Sequence, residues 1–184
     1  MIKTLLCWWG LLACIPAAAA DWEEGPGSTL RFAAVQQGAR FEGRFSRFAA
    51  HIDFDAAQPG TGSITADIDL GSVDTQYEER DDYLRDPEWF HIARWPQARF
   101  RATAIEPADN GFVAHGELTL RGVTQPVDLA FTFTTTATGA RLAGTASLQR
   151  LDFGVGTGDW ADTRWVGNDV QVMVDLQLLP AATP

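Results

Sequence analysis

Residues 170–178 read VQVMVDLQL. Val170, Val172, Val174, Leu176 and Leu178 hold the even positions, while Gln171, Asp175 and Gln177 stand between them. Successive side chains of a strand point to opposite faces, so this period of two predicts a strand with one buried face. The pattern recurs upstream. Phe112, Ala114, Gly116, Leu118 and Leu120 alternate with His115, Glu117 and Thr119, and Val127, Leu129, Phe131 and Phe133 alternate with Asp128 and Thr132. Residues 121–126 form a short connection between those two runs, and Asp109, Asn110 and Gly111 supply a second tight turn, so neighbouring strands pair antiparallel.

Further strand-like segments lie near residues 28–37, 39–55, 63–70, 98–105 and 141–151. The total comes to about eight strands. The pattern predicts an all-β fold: a closed antiparallel β-barrel of about eight strands, with a two-sheet sandwich as the competing architecture. Many inward candidates are small, among them Ala34, Gly43, Ala66, Ala102, Ala104, Ala114, Gly116, Gly144 and Ala146. They leave room for a ligand cavity, unless larger residues opposite or an inserted segment fill it.

Hydrophobic residues make up 46% and charged residues 21% of the 184-residue chain, which excludes a disordered chain and fits one globular domain. Residues 1–20, MIKTLLCWWGLLACIPAAAA, place Lys3 before an apolar stretch (5–15) and Ala18, Ala19 and Ala20 before Asp21. This is the layout of a secretory signal peptide, so residues 21–184 are expected to be the mature, periplasmic domain. Leu11, Leu12, Ala13 and Cys14 resemble a lipobox, which would make Cys14 a lipid anchor. Cleavage after Ala20 is preferred because the apolar stretch before Cys14 is short and the alanine site is well formed.

Removing the leader takes away Lys3, the only lysine, and leaves 13 arginines against 24 acidic residues, a formal charge of −11. That balance, with no basic run, argues against nucleic acid and anionic membrane surfaces as partners. Both cysteines, Cys7 and Cys14, fall in the leader, so no disulfide, thiol chemistry or thiolate zinc site is expected in the mature chain.

Strand alternation breaks at residues 75–96, TQYEERDDYLRDPEWFHIARWP. Helix formers predict one short helix, capped by Asp74 or Thr75, with Glu78 and Glu79 in its first turn and Pro87 ending it. Trp89, Phe90, Ile92 and Trp95 follow with bulky apolar surface suited to lying across an open barrel end.

Several ordered motifs then bear on kinship. Phe41, Gly43, Phe45 and Phe48 precede Ile52, Phe54 and Asp55. Ser72, Val73, Asp74 and Thr75 lead to Arg80, Asp81, Leu84 and Arg85, an RD-x-x-L-R pattern. Trp89 and Phe90 form an aromatic pair, and Trp95, Pro96 and Phe100 an aromatic-Pro-x-x-x-Phe pattern. Residues 118–127 read LTLRGVTQPV, and Asp152, Phe153 and Gly154 come before the last strand. In this order the chain resembles the YceI-like family of lipid- and polyisoprenoid-binding proteins over nearly its whole mature length. Tyr83 departs from the pattern where relatives often carry histidine, so a role that needs a titrating histidine does not carry over.

The resemblance implies a lipocalin-like barrel whose lumen takes a polyisoprenoid or quinone-like lipid. Phe32, Phe41, Phe45, Phe48, Phe100, Phe131 and Phe133 are the inward candidates, with Trp89 and Phe90 near the mouth. Arg80 is a candidate head-group contact with Asp81 orienting its guanidinium, and Tyr83 stands beside them. For each residue the competing role is ordinary packing, or helix anchoring for the Arg–Asp pair. The resemblance also implies a homodimer, as relatives often dimerise.

Catalysis has little support. His51, His91 and His115 accompany no glycine-flanked serine of the hydrolase type. His51, Asp53 and Asp55 share one strand face, but Ile52 and Phe54 claim the other for the core, so the trio reads as solvated exterior and no metal or cofactor is expected. The expected function is non-enzymatic extracytoplasmic carriage or storage of an isoprenoid-type lipid. The alternatives are a stress-protective or interaction protein with incidental lipid, and an enzyme acting on the lipid head group.

Overall fold

The computed structural model describes residues 21–181. The leader, with its cleavage site and Cys14, lies outside the described residues. Eleven strand segments occur among the described residues: β1 (Asp21–Glu24), β2 (Thr29–Gln36), β3 (Ala39–Phe45), β4 (Phe48–Asp53), β5 (Ser63–Asp69), β6 (Val73–Asp74), β7 (Gln97–Ala108), β8 (Gly111–Leu120), β9 (Val123–Thr135), β10 (Ala140–Gln149) and β11 (Asp169–Pro180). Helix α1 (Glu78–Arg85) lies between β6 and β7.

Register shows that six of these segments are halves of three kinked strands. β1 pairs with β4 through Trp22 opposite Ile52, and β2 pairs with β3 through Leu30 opposite Phe45. β5 continues the partnership with β4, and β6 with β3. The chain therefore forms eight antiparallel strands, and β11 closes the ring by pairing with both β2 and β1. The barrel is the architecture, not the sandwich. Closure removes free sheet edges, and the inward faces make one core.

Polar side chains satisfy the backbone at the kinks. Glu24 Oε2 accepts from the Ala50 amide at 2.6 Å where β1 gives way to β2. Ser72 Oγ accepts from the Arg47 amide at 3.1 Å between β3 and β4. A bulge in β7 between Ala102 and Ala104 shifts the alternation by one. Ala102 and Ile105 are buried, but Ala104, expected inward, is exposed.

The helix forms where predicted, but its cap differs. Tyr77 occupies the N-cap and makes no side-chain cap bond. Asp74 instead accepts from the Gln76 amide at 2.9 Å, a local turn. Asp81, buried in the first helical turn, reaches back so that Oδ1 accepts from the Thr75 amide (2.8 Å) and the Thr75 hydroxyl (2.7 Å). This ties the helix to the end of β6, and Pro87 follows its last turn.

The two barrel ends differ. At one, Phe54 is fully buried with its ring 4.9 Å from Phe112, 5.4 Å from Phe131 and 5.0 Å from Phe133, all edge-to-face. Trp22 adds a fifth ring 5.9 Å from Phe133 and donates from Nε1 to the Phe54 carbonyl at 3.2 Å. This plug is solid aromatic packing. At the other end, α1 and residues 86–96 lie over the rim, held by the Arg121 Nη2 bond to the Pro87 carbonyl (2.6 Å) and the Leu70 amide bond to the Pro96 carbonyl (2.9 Å).

Candidate functional site: an apolar lumen with a polar mouth

Between plug and helix the barrel holds a cavity of about 200 Å³. Its exposed wall is apolar throughout. Phe32, Phe41, Phe45, Phe48 and Phe100 line it, joined by Trp89 and Phe90 at the mouth. The space comes from alanines: Ala34, Ala50, Ala66, Ala98 and Ala146 lie in the same wall. The inward glycines do not contribute space in the same way. A Cβ at Gly116 would sit 2.7 Å from the Phe100 ring and 2.6 Å from the Arg101 carbonyl, and one at Gly43 would strike the Phe32 ring. These glycines let an aromatic ring lie flat on the neighbouring strand.

Phe131 and Phe133 point inward as expected but belong to the plug around Phe54, not to the cavity wall. Alternation fixes which face a residue takes; depth along the barrel axis depends on strand stagger, which the pattern does not carry.

The mouth is built by α1, residues 86–96 and the long connection between β10 and β11. Arg150 organises that connection. It lies on the inward register of β10, after Ala146 and Leu148, and is buried. Its Nε donates to the Gly167 carbonyl (2.9 Å), Nη1 to Val155 (2.8 Å) and Gly156 (3.1 Å), and Nη2 to Trp160 (2.7 Å) and Val166 (2.7 Å). Five donors meet five backbone oxygens with no carboxylate in the set. Burial pushes the guanidinium pKa below its ordinary value, and the carbonyl dipoles take the place of a counter-ion. Val155 and Val166, positioned by this cage, complete the cavity wall.

Outside the mouth is a more polar antechamber lined by Gln36, Tyr77, Arg80, Tyr83, Trp89 and Trp160. Arg80 donates from Nε to Gln36 Oε1 at 3.2 Å and lies over the Phe41 ring at 4.1 Å. Asp81 does not orient Arg80, contrary to the sequence expectation. One position along a helix turns its carboxylate about 100° away, onto Thr75. Tyr83 is half-exposed with its ring 5.9 Å from Trp160. On the barrel's outer wall His51 Nε2 pairs with Asp21 at 2.9 Å.

Sequence reasoning missed Arg150, Trp160, Val155 and Val166. The first had a signal: the even positions of β10 run inward from Ala140 to Leu148, and Arg150 continues that register. The other three sit in an irregular loop whose path no local pattern specifies.

A family model of the YceI-like domain matches residues 25–178. The chain belongs to the YceI-like family. Among solved structures, this YceI-like barrel is similar to BcnA of Burkholderia cenocepacia, 30% identical with a TM-score of 0.79 over 84% of this chain and 96% of that one. It shares its fold with a polyisoprenoid binding domain from Saccharophagus degradans implicated in plant cell wall breakdown, 19% identical with a TM-score of 0.68 over 89% and 99% of the two chains. Curated relatives include a UPF0312 protein of Shewanella baltica, 34% identical over 122 residues. The match spans 64% of this chain and 64% of that relative's length.

Proposed function

We propose that this YceI-like domain is a non-enzymatic extracytoplasmic carrier or store for an isoprenoid-type lipid, a polyprenyl chain or a prenylated quinone. The observation that carries this reading is the lumen: a deep, wholly apolar cavity, closed by aromatic rings at one end and open at the other. Transfer of each methylene-sized unit from water into such a wall contributes about 0.8 kcal/mol, so a branched hydrocarbon tail binds there without any catalytic group. The polyisoprenoid-binding neighbour with the same fold and the leader-like residues 1–20 support ligand class and location.

The test is mass spectrometry of lipid extracted from natively purified protein, beside a mock purification and an Ala146→Phe variant that fills the lumen at mid-barrel. A prenyl species enriched over the mock and depleted in the variant is expected. No enriched lipid, with no uptake of added prenyl lipids or quinones, overturns the reading and transfers function to the barrel surface.

A further inference from the structure

We propose that the mouth end of the barrel is a docking surface for a zwitterionic lipid bilayer, with Trp165, Tyr77 and Tyr83 entering the bilayer interface and the exposed carboxylates of α1 turning anionic surfaces away. The proposal rests on the lumen reading above, because it makes the mouth the route by which an apolar ligand passes between membrane and barrel.

The observation that carries it is where apolar surface stays exposed. Among the described residues six large apolar or aromatic side chains are exposed: Val35, Tyr77, Tyr83, Val123, Trp165 and Leu179. Five of them lie at the mouth end. Tyr77 and Tyr83 line the antechamber. Trp165 precedes Val166 of the cavity wall, and its carbonyl accepts from the Gln37 amide at 2.8 Å, at the turn between β2 and β3. Val35 stands next to it, its carbonyl accepting from the Gly167 amide at 2.8 Å. Val123 begins β9 two residues after Arg121, which is bonded to Pro87 of the rim. The sixth, Leu179, pairs with Glu23 at the plugged end. Trp165 is 54% exposed, a large ring left in water beside the opening of an apolar cavity. Trp and Tyr, each with an apolar body and a polar tip, are the side chains that settle at a bilayer's interface.

Charge decides which surface fits. Helix α1 and the residue after it expose Glu78, Glu79, Asp82 and Asp86 around Tyr77 and Tyr83. The cations on that helix, Arg80 and Arg85, are half-buried, and Arg85 is committed to Asp82 and the Val73 carbonyl. A second copy docking here about a two-fold axis would set the same patch against itself, carboxylates facing carboxylates. An anionic bilayer meets the same repulsion. A zwitterionic bilayer offers ammonium groups to the carboxylates and an apolar interior to the rings. With few anchors and no basic patch the hold is weak and reversible, which suits a protein that must leave the membrane with its ligand.

The experiment is flotation of the protein with dioleoylphosphatidylcholine vesicles at about 0.15 M salt, and with vesicles in which about one third of that lipid is replaced by dioleoylphosphatidylglycerol. Wild-type protein is expected to float with the first and more weakly with the second. Trp165→Ser should lower the partition coefficient about tenfold, the scale of returning one half-exposed aromatic side chain to water, while Leu179→Ser, equally exposed at the plugged end, stays within about twofold. Uptake of the neutral probe N-phenyl-1-naphthylamine from water, unchanged in both variants, shows that the barrel is folded and its lumen open. No flotation by wild type, equal loss in the two variants, or preference for the phosphatidylglycerol vesicles overturns the docking surface and leaves the lumen reading standing. A dimer that Trp165→Ser dissociates in the absence of vesicles assigns the surface to a second copy and overturns the proposal as well. Flotation without uptake of the probe overturns the lumen reading instead.

Discussion

Arg150 offers the sharpest test of how the mouth is held. Replacing it with methionine keeps most of the volume and removes every donor, leaving oxygens of Val155, Gly156, Trp160, Val166 and Gly167 without their partner. Val155, Gly156 and Val166 are buried, so water replaces the guanidinium poorly there. A hydrogen bond to a charged group contributes about 1.5–3 kcal/mol, but desolvation of the guanidinium offsets much of the gross sum. Deleting one side of a buried charged cluster costs about 3–5 kcal/mol in net terms, and that is the expected loss for Arg150→Met.

With an m-value of about 2 kcal/mol/M, the urea midpoint should fall by roughly 2 M. Arg150→Lys separates charge from shape. Lysine keeps a cation near Trp89 but offers three donors from one point, which cannot span five oxygens set in a fork. It should recover less than about half of the lost stability. Equilibrium urea unfolding followed by tryptophan fluorescence measures both variants, and limited proteolysis should locate new cleavage within residues 151–168. A methionine variant within about 1 kcal/mol of wild type, or full recovery by lysine, would refute the claim that the carbonyl cage holds the mouth.

Two further outcomes follow from the barrel's two ends and its outer wall. Phe54→Ala removes the central ring of the plug and should cost about 3–5 kcal/mol by urea unfolding, while affinity for a lumen ligand stays within about twofold, because Phe54 does not border the cavity; a tenfold loss of affinity without loss of stability would place the binding site at the wrong end. Arg141 donates from Nε and Nη2 to the two oxygens of Asp175 at 2.8 and 2.6 Å, and these bonds hold the Asp175 carboxyl below its ordinary range. A depressed folded pKa means that the pair's contribution is complete above the unfolded carboxylate value of about 3.9 and is lost as pH falls through the lower folded value. The urea midpoint should therefore drop below about pH 4, and Arg141→Gln should flatten that part of the profile; identical profiles would show that the pair contributes nothing.

How much of this was legible beforehand depended on whether the information was local. Three strands read directly from period-two alternation because one buried face per strand imposes it, as in Val172, Val174 and Leu176 of β11, and the further strand-like segments bring the count to the eight observed. Tyr77 could not be named as N-cap because Asp74, three residues earlier, is the better capping residue by type; the Asp81 carboxylate reaching back to Thr75 ties down the helix start instead. Ala104 was misplaced because a bulge shifts the period without any sequence mark. Phe131 and Phe133 were given the correct face and the wrong depth. The antechamber was visible only in part: Arg80 and Tyr83 stood out by residue type, whereas Trp160 reaches the site through a loop that Arg150 folds.

The cavity exists because the two barrel ends solve the same packing problem differently. Near the plug, large side chains meet across the axis, with Phe54 touching three other phenylalanines, and they fill the section as a small barrel ordinarily would. Toward the mouth, phenylalanines lie against glycines on the neighbouring strand, Phe32 over Gly43 and Phe100 over Gly116, so each ring is flattened onto the wall. Alanines elsewhere in that wall withhold the side chains that would otherwise meet in the centre. An unfilled void of this kind would favour collapse if its walls were free to move. They are not: the ring of strands is closed, and Arg150 fixes the irregular β10–β11 stretch of the rim through backbone oxygens instead of through side chains that would enter the lumen. A rigid rim around an apolar interior keeps that space from closing.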